Sequence, residues 1–88
     1  MSALQVKLPA DGLIAVVKRD CPTCVLVAPV LARLAEAGHL GAIYVQDDPA
    51  FPDLPAGLDH LRRDDRELAV SFALDVDTVP TLIRRRDG

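Results

Sequence analysis

Asp20-Cys21-Pro22-Thr23-Cys24 contains both cysteines of the chain. Leu13-Ile14-Ala15-Val16-Val17, apolar and rich in β-branched residues, precedes it, and from Pro22 onward apolar residues recur at helical spacing. Two thiols separated by two residues, at the junction of a strand and a helix, are the arrangement that dithiol/disulfide chemistry requires. A thiol attacks a disulfide as the thiolate, so one sulfur must have a lowered pKa and a second must be close enough to release the mixed disulfide. Unpaired N-H groups and the helix dipole at a helix start supply the first condition, and the two-residue spacer supplies the second. Cys21 is therefore expected to be the exposed nucleophile and Cys24, one turn further in, the shielded resolving thiol. Lys18 and Arg19 favour a thiolate at Cys21, whereas Asp20 opposes it.

Upstream, Leu4, Val6 and Leu8 alternate with Gln5 and Lys7, which predicts a short half-buried strand or extension within residues 1–12. Ala10-Asp11-Gly12 supplies a turn. The run Leu13 to Val17 is apolar on both faces, as expected of a central strand covered on each side. Downstream, Pro22 suits the first turn of a helix, where its missing N-H has no intrahelical partner. Val27, Leu31 and Leu34 repeat at helical spacing and Gly38 ends the helix as a left-handed cap. Val25 to Leu31 is apolar almost all round, which predicts a deeply buried N-terminal half, and Pro29 predicts a kink.

Ala42-Ile43-Tyr44-Val45 reads as a second strand, and strand, helix, strand in this order implies a right-handed parallel crossover. Residues 49–57 contain three prolines and a glycine and read as a long surface loop. Asp64 and Glu67 resemble a capping box before an apolar face of Leu68, Ala69, Phe72 and Ala73. One helix from Asp59, or two short ones broken near Asp64, both fit; the mixed-sign run Arg62 to Arg66 reads as exposed helix surface. Thr81 to Arg86 is a third strand whose first half is expected to be buried. The chain stops on Asp87-Gly88, a hairpin-turn signal with no returning strand, which suggests the front part of a longer domain or protein.

Eighty-eight residues predict a single domain, 1–88, with its core in 13–88, because so short a chain closes one hydrophobic core. Half the residues are apolar but only Tyr44, Phe51 and Phe72 are aromatic, which suits aliphatic packing between layers of an α/β sandwich. Ten basic and thirteen acidic side chains give a net charge of -3, which argues against nucleic acid or a membrane surface as partner. Met1 to Lys7 has no basic n-region and Leu13 to Val17 is too short for a membrane span, so a cytoplasmic location is expected. In a reducing compartment a close cysteine pair is more often catalytic or metal-binding than structural.

Three segments together resemble the thioredoxin-like superfamily, over about Leu13 to Gly88. Cys-Pro-Thr-Cys resembles the glutaredoxin motif, with proline directly after the first cysteine. Val25-Leu26-Val27-Ala28-Pro29-Val30-Leu31 resembles thioredoxin, where an Ala-Pro pair kinks the active-site helix. Val79-Pro80-Thr81 resembles the thioredoxin segment whose proline follows a cis peptide bond. The resemblance implies a three-layer sandwich with a mixed central sheet and helices on its faces, C-terminally short. It also implies that Pro22, Thr23, Val79 and Pro80 contact substrate, Val79 through its backbone. Thioredoxins have tryptophan where this chain has Asp20 and a buried aspartate where it has Ala15, and the connection from Val45 to Pro80 is longer than in a minimal thioredoxin. The family's last strand and helix are lacking, which predicts an open sheet edge covered by a partner, by a second copy as a homodimer, or by the remainder of a larger protein.

Zinc requires four ligands, and Cys21, Cys24, His39 and His60 lack the paired spacing of a finger, so no metal is expected. Beside thiol chemistry stands the plain alternative of two reduced buried thiols. The expected function is thiol-disulfide exchange on a protein or small-molecule disulfide, with no cofactor beyond the dithiol itself and a recycling reductase as partner. Glutathione use and the direction of electron flow stay open. The other function class is an interaction or regulatory module with a vestigial or redox-sensing pair.

Overall fold

In a computed structural model, which describes residues 11–86, Gly12–Val17 forms strand β1 at the interior of the sheet. The expected strand at Leu4, Val6 and Leu8, and the terminal Asp87-Gly88, lie outside the described residues. Ile14, Ala15, Val16 and Val17 are all buried, which is why the run carries no polar face. Helix α1 spans Pro22–Glu36, strand β2 Leu40–Val45 and strand β3 Arg62–Asp64. Helix α2, Ala69–Ala73, and strand β4, Thr81–Arg85, complete the order. The sheet runs β3-β2-β1-β4, with β1 parallel to β2, β2 parallel to β3 and β1 antiparallel to β4. An α/β fold with a four-stranded mixed open sheet and two helices is compatible with the thioredoxin-like expectation. No helix among the described residues is long and apolar enough to cross a membrane.

The two faces of the sheet collect separate cores. Ala15 and Val17 meet Cys24, Leu31 and Ala35 of α1, with Ile43 and Val45 of β2. Ile14 and Val16 meet Ala42, Tyr44 and Val70 on the opposite face. The pairing passes from Leu13↔Leu40 to Ile14↔Ala42, leaving Gly41 as an extra residue on β2. That extra residue brings Leu40 to the α1 side, together with Ile43 and Val45. At the end of α1, Gly38 takes φ +79°, its N-H donates to the Ala35 carbonyl and the His39 N-H donates to the Leu34 carbonyl. This is the left-handed glycine stop expected there.

Four expectations need correction. Val25, Leu26 and Val30 are 51%, 77% and 49% exposed, so the first half of α1 is not deeply buried. The sheet covers one helix face only, and among the described residues no second layer lies over the other. The run Arg62 to Asp64 is not helix surface but the edge strand β3, whose backbone alone is needed to pair with Ile43, Tyr44 and Val45. The capping carboxylate is Asp65 rather than Asp64. Asp65 is buried and accepts from the N-H groups of Val70 and Ser71 and from the Ser71 hydroxyl at 2.8, 3.0 and 2.7 Å. Asp64 pairs instead with exposed Arg66, and α2 turns Val70 and Ser71 inward, leaving Leu68 and Phe72 exposed. Lastly, the first half of β4 alternates rather than being buried, with Leu82 52% exposed.

The long connection after β2 is more than surface chain. Pro52 is fully buried, after a cis bond from Phe51, and Phe51, Leu54 and Leu58 pack against the α1-side core. Arg62 donates to the carbonyls of Ala50 and Pro52 and pairs with Asp59, tying the loop to β3.

The two aspartates give a direct test of the capping assignment. Asp65→Asn replaces one acceptor oxygen by a donor facing N-H or O-H groups and is expected to cost roughly 2 to 3 kcal/mol of stability. Asp64→Asn, at an exposed ion pair, is expected to leave the urea midpoint nearly unchanged. Equilibrium urea denaturation of the two variants makes the comparison.

Candidate functional site

Cys21 and Cys24 owe their different surroundings to the start of α1. Cys21 is the N-cap, in extended backbone conformation, and Pro22 and Thr23 follow as exposed residues of the first turn. The Cys24 N-H donates to Cys21 Sγ at 3.2 Å, so the sulfur takes the role that an oxygen plays in ordinary caps. One turn in, Cys24 points into the α1-side core and is fully buried. Cys21 is half-buried, and both thiols are free.

This geometry separates the two acidities. A hydrogen bond from the Cys24 thiol holds the Cys21 pKa below the ordinary value; partial burial opposes it, and the N-H groups of Cys24 and Thr23 and the Lys18 charge assist. Burial pushes Cys24 up to about 11, the bond to Cys21 adds to the rise, and the charges of Cys21 and Asp47 raise it further. The Lys18 N-H, 3.5 Å from Cys24 Sγ, acts in the opposite sense. The expected influence of Lys18 is present, whereas Arg19 turns away and pairs with Asp48 at 2.7 Å.

Val79 and Pro80 arrive from the far end of the chain. The bond between them is cis, and Cys21 Sγ lies 3.6 Å from the Val79 carbonyl oxygen, to which a thiol can donate. A thiolate at Cys21 loses that bond and keeps only its acceptor contacts at the helix start. Pro80 lines an apolar cleft with Val27, Val30, Leu31 and Leu82. The structure thus brings Cys21, Cys24, Val79 and Pro80 together and leaves Pro22 and Thr23 on the rim. Among the described residues no three His, Cys, Asp or Glu side chains converge on a point that could hold a metal. Ala15, buried beneath α1, places no carboxylate there.

Asp47 is the residue that sequence reading misses. Its carboxylate accepts from the N-H groups of Arg19, Asp20 and Asp48 at 2.6, 3.2 and 2.8 Å. Partial burial works against its charge, but those N-H groups outweigh it and hold the carboxyl below its usual range. Asp47 so fixes the segment that delivers Cys21 to the helix. In the sequence it is only one of two aspartates before a proline, and nothing marks it as the partner of a segment almost thirty residues earlier.

A thiol whose folded pKa is raised retains a proton that the unfolded chain has already released. Stability is therefore lost as pH rises from about 9 to about 11, the interval over which Cys24 differs between the two states. The reduced protein is expected to lose on the order of 2 to 3 kcal/mol across it beyond the loss in Cys24→Ala. Urea denaturation under reducing conditions at both ends of the interval measures the difference. Protein-family models, curated proteins and solved structures were compared with the chain, and none matches it.

Proposed function

We propose that the chain is a thioredoxin-like thiol-disulfide oxidoreductase, working in the cytoplasm on disulfide substrates and regenerated by an external dithiol reductant. The observation that carries this reading is the asymmetry of the two sulfurs, Cys21 half-buried with a lowered pKa and Cys24 fully buried with a raised one. Two thiols buried only as packing give no reason for one to cap a helix and the other to sit behind it.

In the first step the Cys21 thiolate attacks one sulfur of the substrate disulfide. A bond forms from Cys21 Sγ to that sulfur, the substrate S-S bond breaks, and the other substrate sulfur leaves as a thiolate that takes up a proton. In the second step Cys24 loses its proton and attacks Cys21 Sγ, closing the Cys21-Cys24 disulfide and releasing the second substrate thiol. The substrate gains two electrons and the dithiol loses two. The reverse direction uses the same bonds. Val79 offers its carbonyl beside the nucleophile, and Pro22, Thr23 and Pro80 shape the rim on which substrate rests.

The order of the steps follows from electrostatics. While Cys21 is a thiolate, its charge and its hydrogen bond help to keep Cys24 protonated. Once Cys21 is joined to substrate it is neutral, both influences vanish, and Cys24 ionises more readily at the moment its thiolate is required. Burial of Cys24 remains, so the fall is partial.

Cys24→Ser is expected to accumulate a mixed disulfide on Cys21 when a simple disulfide is offered, seen as a mass adduct, and Cys21→Ser to accumulate none. Absence of the adduct, together with no dithiol-dependent reduction by the unaltered protein, would sink the proposal. A second measurement tests the ordering: in Cys21→Ser, where no charge can develop, the Cys24 pKa followed by thiolate absorbance is expected below the value of about 11 that it has beside Cys21.

A further inference from the structure

Along the outward side of α1, facing the connection that follows β2, runs an open groove of about 550 Å³. Val25, Ala28, Pro29 and Ala32 line it from the helix and Phe51 from the connection. Its charged lining is Arg19, Asp48 and Asp53. Arg19 is already neutralised by Asp48, at 2.7 Å, whereas Asp53 is exposed and has no ion pair among the described residues. One end of the groove adjoins the dithiol: Arg19 lies two residues before Cys21, and the Val25 N-H donates to the Cys21 carbonyl at 3.0 Å.

We infer that this groove selects the substrate of the oxidoreductase proposed above, on which the inference rests. Its occupant is a polypeptide disulfide that carries, beside the reacting cysteine, an apolar side chain for the Val25-Pro29 floor and a cationic one for Asp53. The floor is apolar yet exposed, so an apolar side chain laid on it leaves water without displacing a bound polar group. The charge selects in the same direction. Asp48 and Asp53 of the groove, with Asp20 and the Asp47 that holds the segment before Cys21, outnumber the cations of Lys18 and Arg19. A negative rim speeds the encounter with cationic chains and slows it with anionic ones. Glutathione disulfide, anionic at neutral pH, finds in the groove one cation, and that one is committed to Asp48. The two-electron exchange at Cys21 and Cys24 is unchanged by the groove, which acts on encounter and orientation.

The test uses the reduced full chain and matched peptide disulfides carrying Leu with either Lys or Glu beside the cysteine. Each rate is divided by that for neutral hydroxyethyl disulfide on the same protein. At low salt the Lys peptide is expected to react about tenfold faster than the Glu peptide, with glutathione disulfide near the slow end. The ratio is expected to fall toward one in molar salt and to invert in Asp53→Lys. Replacing the peptide's Leu by Ser is expected to slow it several-fold. Equal rates for the Lys and Glu peptides, a ratio that Asp53→Lys leaves unchanged, equal rates for the Leu and Ser peptides, or glutathione disulfide outpacing the Lys peptide would each overturn the inference while leaving the dithiol chemistry standing. Failure to reduce hydroxyethyl disulfide would remove the dithiol reading, and the substrate class with it.

Discussion

Burial of β1 on both faces is the constraint from which the rest of the molecule follows. Ile14 and Val16 need one covering layer and Ala15 and Val17 another, so the chain must send an element to each side of the sheet. α1 is the first of these, and because it starts directly after β1, its N-terminus lies at the end of a central strand. A cysteine at that junction is a helix cap, and a cysteine one turn later is a core residue. The difference in acidity between the two sulfurs thus comes chiefly from the bond between the two thiols and from the packing that buries Cys24.

A second level of organisation is built from carboxylates that bind backbone N-H groups. Asp47 holds the segment before Cys21, and Asp65 holds the start of α2 and, through Ser71, meets the side chain of Gln46 at 2.7 Å. Both follow the C-terminal ends of neighbouring parallel strands, where N-H groups outside the ladder need acceptors. The site therefore depends on polar contacts between sequence-distant loops as much as on the motif that contains the thiols.

What could be read from residues alone divides along the same line. β1, α1, β2, β4 and the Gly38 stop are legible because each carries a local signal, whether an apolar run, a helical repeat or a glycine after the last turn. The positions of Cys21 and Cys24 follow from that reading, and Val79-Pro80 from resemblance. β3 was illegible because Arg62, Arg63 and Asp64 contribute only backbone to the sheet, and a charged run gives no alternation to read. Asp64 displaced Asp65 in the sequence reading because only Asp64 has the three-residue spacing to Glu67 of a capping box, whereas tertiary burial decides which carboxylate turns inward. The exposed stripe of Val25, Leu26 and Val30 was hidden for the opposite reason: apolar residues announce burial, but the number of covering layers is a property of the whole fold.

Gln46 and Asp47 are neighbours in sequence, yet the first reaches the α2 side of the molecule and the second the dithiol side. This division of labour depends on the alternation of an extended chain. Shortening β2 by one residue would present the Asp47 carboxylate to Ser71, beside the carboxylate of Asp65, and lengthening it by one would present the Gln46 amide to the dithiol segment. The stretch between Gly41 and Asp47 is thus a ruler whose length is fixed from both ends, while the solvent-facing parts of the proline-rich connection after it are free to vary in length.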